Sequence, residues 1–399
     1  MNKLFLIISL LFISSHNFSQ EIDELEFSKI DSLAKNIKLI GVGECTHGTS
    51  EFTTVRLELF KTLVKSHNYN SFFLEADLSA CRRVNRYIHG EEDTVYKALE
   101  EVQLWPWLTE EMVEVINWCR KYNSLNENVI NFVGCDMQLI NDDFIELQRL
   151  FKDNQTLMYK LDSVFTGLKY NSKDSVITNH KDKWIVFKSV VSESNLPSNQ
   201  LREFETIKPS VDQWFDFKTS PGIKYNFRDS CMASNMIEYL NQHSNSKGFY
   251  FAHNAHVSNT IFSYKEMHSM KSAGAFLKEF YGEHYVCIAL LSNNLHFNAL
   301  TFKGGKVKMK QFHRVPKKRR DIERKLTKYG KDNFYINAKN IEKVDKFNIT
   351  HIGAAYGKDF NGTKTIPIRR LKDGMFDGFI LLGTTNPTLL IEIIKKKYG

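Results

Sequence analysis

The sequence predicts an α/β fold: a largely parallel central sheet flanked by helices, with a helical insertion forming part of an active-site cleft. Three observations lead there. Short apolar runs alternate with amphipathic runs along most of the 399 residues, the pattern of strand–helix units that pair in parallel. Several of the apolar runs stop abruptly at acids or histidines. The composition, 42% hydrophobic and 25% charged, is that of an ordinary globular chain.

The first residues read as a targeting signal. Lys3 precedes a continuous apolar run, Leu4 to Ile13, and a small polar stretch, Ser14 to Ser19. That is a signal peptide over residues 1–19, cleaved near Ser19, and it implies an exported protein, periplasmic or extracellular. The run is too short to span a bilayer, and no later stretch reaches ~18 apolar residues, so no stable membrane insertion is expected. Residues 20–399 then form one α/β domain with additions. Glu21 to Lys35 has the pattern of a polar amphipathic helix. Ile37 to Gly43 is the first strand, and Glu51 to Ser66, with Phe52, Val55, Leu59, Phe60 and Leu63 on one face, is a helix packed on the sheet.

Ser71 to Asp77 is a second strand, apolar and then acidic at Glu75 and Asp77. A carboxylate ending a buried strand is costly unless it is paired or opens on a cleft. Asp77 is instead read as the cap of a helix from Leu78. Val129 to Asp136 is a third strand, again ending in an acid. Residues 142–214, polar with little β pattern, read as a helical insertion. Gly248 to His256 is a fourth strand ending in His253 and His256, Tyr285 to Leu291 a fifth, and Phe376 to Gly383 a late one.

The first strand runs into Gly43-Glu44-Cys45-Thr46-His47-Gly48, a tight glycine-bearing turn with Thr49 or Ser50 placed to cap the next helix. In parallel sheets ligands bind beyond the carboxyl ends of the strands. Glu44 and His47, Glu75, Asp136, and His253 and His256 all fall at those ends, with Arg56 one to two turns into the following helix. Two chemistries suit such a set. In one, a neutral histidine takes a proton from water while a carboxylate orients its ring, and other histidines or Arg56 stabilise an oxyanion. In the other, His47, Glu75, His253 and His256 bind a divalent metal that activates the water. The spacing matches neither a Walker A loop, a GxGxxG fingerprint nor a GxSxG elbow. Cys45 as a nucleophile is a minor alternative.

The six cysteines are widely and irregularly spaced within predicted elements, and none forms a CxxC pair. Free buried thiols are expected, without a structural zinc site. Lys303 to Lys325 holds eleven Lys or Arg against Asp321 and Glu323. Without regularly interleaved aromatics it is read as a solvated loop and helix, not a nucleic-acid surface.

The motifs resemble the erythromycin esterase family. Gly43-Glu44-Cys45-Thr46-His47-Gly48-Thr49-Ser50-Glu51-Phe52 is similar to its signature, as are Leu74-Glu75-Ala76-Asp77 and Arg83 to Gly90. Trp118 to Asn123, Phe132 to Met137, Arg228 to Met232 with Asn235, Ala252 to His256, and Phe376 to Ile380 follow in order, so the likeness spans Leu39 to Thr385. The resemblance implies an α/β fold with a deep cleft and hydrolysis of an ester or lactone, such as the macrolactone of erythromycin-type antibiotics, which inactivates the drug. It implies His47 as the base that activates water, with Glu44, Glu75, Arg56, His253 and His256 lining the cleft, and no metal or other cofactor. Cys45, Leu78, Leu108 and Thr109 depart from the family pattern, and the 142–214 insertion has no usable match. These departures spare the catalytic set and leave the substrate open. A metal-dependent hydrolase of another bond and a non-catalytic exported binding protein are the competing readings.

Overall fold

The computed structural model describes residues 27–398 apart from 93, 170, 221–223, 264–268, 304, 343–346, 358–367 and 372–373. The signal-peptide expectation for residues 1–19 lies outside them. The strands are β1 (Leu39–Glu44), β2 (Tyr69–Asp77), β3 (Asn131–Asp136), β4 (Lys247–His253), β5 (Ile261–Ser263), β6 (Ser269–Lys271), β7 (Tyr285–Lys303), β8 (Lys306–Arg314), β9 (Phe334–Asn337), β10 (Phe347–Thr350), β11 (Ile368–Leu371) and β12 (Gly378–Thr384).

The central sheet has eight strands in the order β3-β2-β4-β1-β7-β12-β9, with β8 paired to β7. From β3 to β12 every neighbouring pair is parallel; β9 and β8 add antiparallel. The expected mostly parallel sheet flanked by helices is therefore present. Register decides the level of the site: Glu44 at the end of β1 stands opposite His253 at the end of β4. Helix Ser50–His67 buries Phe52, Val55, Leu59, Phe60 and Leu63 against the sheet. It stops at Asn68, whose left-handed backbone (φ 57°) sends its N–H back to the Leu63 carbonyl.

Residues 140–219 form the helices Ile140–Phe151, Gln155–Phe165, Asp174–Glu193 and Ser198–Thr219. They pack around their own apolar cluster, including Leu147, Leu161, Trp184 and Val211, separate from the main core. The six cysteines are all free and buried.

Two expectations need correction. Lys306 to Arg314 is a strand, not a solvated loop. Exposed Lys306, Lys308 and Lys310 alternate with half-buried Val307 and Met309, a period of two that fits a half-buried strand. Lysines along an outer strand also discourage pairing with other chains. Asp77 does occupy the N-cap position of helix Leu78–Ile88, but its side chain caps nothing there. Because β3 lies alongside, Asp77 Oδ1 accepts the Leu139 N–H at 2.7 Å instead.

Candidate active site

The loop after β1 is fixed by close backbone approach. A Cβ at Gly48 would lie 1.9 Å from the Asn298 carbonyl oxygen, and one at Gly43 would lie 2.3 Å from Asn254 Oδ1. Only glycine fits such contacts. The Gly48 carbonyl accepts the N–H groups of Asn298 (2.9 Å) and Thr388 (3.0 Å), so the loop is pinned to the part of β7 that runs past the sheet edge. Thr49 precedes the helix, but its hydroxyl donates to the His296 carbonyl at 3.1 Å and does not cap.

This loop turns His47 back onto Glu44, with Nδ1 2.7 Å from Oε1. A carboxylate can only accept, so Nδ1 carries the proton and Nε2 presents a lone pair. No described residue bonds to Nε2. The Glu44 side chain is 1% exposed and that of His47 10%. The other Glu44 oxygen accepts from Arg56 Nη2. Arg56 is fully buried, donates from Nε to the Phe52 carbonyl at 3.1 Å, and lies over the Phe251 ring. Burial lowers its pKa to about 10 against the pull of Glu44 and Glu75, so it stays charged at neutral pH and braces Glu44 from behind.

A second chain of contacts surrounds Glu75 at the end of β2. Its Oε1 meets Arg228 Nη2 at 2.9 Å and His256 Nε2 at 3.1 Å, and its Oε2 accepts the His253 N–H at 2.9 Å. Burial opposes the charge, but His256, Arg228 and His47 hold this carboxyl well below the usual range. Arg228 also donates from Nε to both oxygens of Asp136 at 3.0 Å, and His256 Nδ1 lies 2.8 Å from Asp229 Oδ1.

His253 joins the two chains, its ring 5.2 Å from that of His47. Its Nδ1 accepts the Ala255 N–H at 3.1 Å, while Nε2 faces the carbonyls of Ile352 (3.1 Å) and Cys45 (3.3 Å). Burial and then the fields of His47 and His256 lower its pKa to about 3. It is a neutral wall with both nitrogens engaged. Cys45 is fully buried, and burial together with Glu323 and Glu44 pushes its thiol well up, so the thiolate a nucleophile needs is suppressed. Among the described residues, no three His, Cys, Asp or Glu side chains are grouped to hold a metal ion.

The seven residues singled out from the sequence thus fall into two linked groups, bridged by His253: Glu44, His47 and Arg56, and Glu75 with His256 and, through Arg228, Asp136. Four further contributors were not singled out. Arg228 and Asp229 sit on helix Lys224–Gln242; they belong to the family-like run Arg228 to Met232, but nothing in that run assigned them a role at the site. Trp107 stands edge-on to His47 at 5.4 Å and donates from Nε1 to the Glu75 carbonyl at 2.8 Å. His351 directly follows β10 (Phe347–Thr350), a strand the sequence reading did not pick out, and stands edge-on to His253 with ring centroids 4.7 Å apart.

The profile of the erythromycin esterase family matches residues 64–172 and 202–385. The unmatched gap falls within the insertion helices, and the matched span starts after the Glu44–His47 loop. The chain is 21% identical to erythromycin esterase type II of Escherichia coli over 312 residues, 69% of this chain and 74% of that protein. It is 24% identical to erythromycin esterase type I of Escherichia coli over 168 residues, 41% of this chain and 40% of that one. Among solved structures, a Bacillus cereus protein shares the fold with a TM-score of 0.77 at 18% identity, covering 92% of this chain and 93% of its own. A mutant of the erythromycin esterase EreC in its open conformation gives 0.68 at 16% identity, covering 91% and 95%. On the profile match, which spans most of its length, this chain belongs to the erythromycin esterase family of hydrolases.

Proposed function

We propose that the protein is an exported hydrolase that cleaves a carboxylic ester or lactone with a water molecule activated by His47, without a metal. The observation that carries this reading is the Glu44–His47 pair at 2.7 Å, with Nδ1 anchored and Nε2 open. His47 Nε2 takes a proton from water as the water oxygen attacks the ester carbonyl carbon. Glu44, braced by Arg56, stabilises the imidazolium that forms. Collapse of the tetrahedral intermediate breaks the bond to the alcohol oxygen, which receives the proton from His47, and the carboxylic acid so formed gives its own proton to solvent and leaves as a carboxylate. Glu75, His253 and His256 line the same cleft.

Two curated relatives are erythromycin esterases, so a macrolactone is the first substrate class to try. The insertion starts four residues after Asp136, with helix Ile140–Phe151. This placement supports a role as one wall of a substrate cleft. Export is carried by the residue pattern at 1–19 and is tested by the N-terminus of the protein recovered outside the cytoplasm.

Mass spectrometry of a macrolide panel, with and without a chelator, tests the activity. A product heavier by one water and indifferent to chelation is expected. Loss of that product on chelation favours the metal-dependent reading. An intact panel, together with intact simple esters and lactones, leaves the binding-protein reading.

A further inference from the structure

His47 and His256 follow the neighbouring strands β1 and β4 but stand differently towards their carboxylates. His47 has one carboxylate, on Nδ1. His256 has one on each nitrogen: Asp229 Oδ1 at 2.8 Å from Nδ1 and Glu75 Oε1 at 3.1 Å from Nε2. Each of those oxygens already accepts elsewhere. Asp229 Oδ1 takes the Ala273 N–H at 2.7 Å, and Glu75 Oε1 takes Arg228 Nη2 at 2.9 Å. Both oxygens already act as acceptors, as ionised carboxylates do, so each ring nitrogen faces an oxygen that can take its proton's hydrogen bond.

We propose that Asp229 is a positioning residue that fixes His256 as an imidazolium in the cleft, a standing positive charge for the oxyanion and not a second base. The catalytic part of this statement rests on the ester-hydrolase reading; the charge state of His256 does not. The two histidines then divide the work by carboxylate count. His47 keeps an open lone pair and moves the proton, while His256 keeps both protons and supplies charge.

The groups facing His256 agree with this. Asp229, from helix Lys224–Gln242, and Glu75, from β2, are of opposite charge. Arg228, its Nη1 3.4 Å from Nε2, is of like charge, with Asp136 behind it. His253 is held neutral, and His351 is pushed down by burial and then by His253. Burial works against charging His256, but Asp229 and Glu75 raise its pKa to about 10. Arg228 Nη1 can donate to Nε2 only if that nitrogen has lost its proton, and Glu75 Oε1 at 3.1 Å would then face it lone pair to lone pair. The His256 side chain is 13% exposed, so part of the ring remains open.

The test is a proton NMR titration of the whole protein carrying 13C-labelled histidine, with His256 assigned from its loss in His256→Gln. In the wild type the His256 signal should stay in the charged position through neutral pH and move only near about 10. In Asp229→Asn its midpoint should fall by roughly 1–3 pH units, the effect of losing one close opposite charge. The alkaline limit of kcat, followed on erythromycin and on p-nitrophenyl acetate, should fall with it while KM changes little. A wild-type His256 that titrates near ~6.5 overturns the proposal without any variant. So does an Asp229→Asn protein that loses activity while the His256 midpoint stays put, because the role is then only structural. If His256 is charged but no ester is turned over, the positioning of His256 is upheld and the ester-hydrolase reading fails.

Discussion

Replacing Glu44 by Gln removes one charge on which two neighbours depend. The first is Arg56, which has no exposed surface and whose one hydrogen-bonded carboxylate is Glu44. Breaking a buried ion pair from one side costs about 3–5 kcal/mol, because the remaining charge is left uncompensated. Here the new amide oxygen can still accept from Arg56, and the carbonyls of Phe52, Val42 and Ala252 remain in reach. The loss should therefore be somewhat smaller than that, about 2–4 kcal/mol. Set against a typical total of about 5–15 kcal/mol, the variant stays folded with a lower urea midpoint.

The second neighbour is His47. With the amide oxygen turned to Arg56, the amide NH2 faces His47 Nδ1. Two donors cannot meet, so the ring proton moves to Nε2, and water then faces an N–H where it needed a lone pair. Rate should fall by roughly 10²–10⁴. Urea denaturation followed by fluorescence and initial rates by mass spectrometry give both numbers from one preparation. A folded Glu44→Gln protein that hydrolyses at the wild-type rate would refute the assignment of Glu44 and, with it, the tautomer of His47.

Three further outcomes follow from the same contacts. Gly48→Ala places a Cβ 1.9 Å from a backbone oxygen of β7, so the loop must shift; stability should drop by about 1–3 kcal/mol, and activity should drop with it, as thermal melts and rates can check. Burial and then Asp143 raise the Asp142 pKa to about 8. An acid bound to its proton more tightly when folded than when unfolded costs stability as pH rises past its unfolded value, ~3.9, towards about 8. Asp142→Asn should therefore raise the urea midpoint at pH ~8 and leave it almost unchanged near pH ~4, and equal midpoints at both would contradict the sign. His253 and Glu75 are depressed in the fold. Their stabilisation is complete above ~6.5 and ~4.3 and is lost as pH falls through the folded values. His256 has the opposite sign: its contribution is complete below ~6.5 and is lost as pH rises through about 10. Stability should peak near neutrality and decline on both sides, and a flat profile of urea midpoints would count against these charge states.

Much of the site was legible because one topological rule does the placing. Glu44, Glu75 and His253 end strands whose parallel order puts them side by side, and an apolar run that stops at a polar residue is visible without coordinates. The duties of the histidines were not legible. His47 and His253 look alike in sequence, yet one has an open nitrogen and the other is closed by the Ile352 carbonyl, 99 residues further along the chain. Arg228 and Asp229 were hidden for a related reason. A charged residue on a helix is ordinarily solvated, and only packing against β2 and β3 turns these two inward. The Lys306–Arg314 strand was misread because net charge was weighed ahead of its alternation. Asp77 was misread because a strand end and a helix start coincide there, and the neighbouring β3 loop offered the nearer N–H.

The central claim is that His47 Nε2 takes the proton from water, and chemical rescue tests it most directly. His47→Ala should lose roughly 10²–10⁴ in rate on the ester that the wild type cleaves, keep its fold, and regain part of the rate when imidazole is added to the solution. A His47→Ala protein that is folded and hydrolyses at the wild-type rate without imidazole contradicts the account.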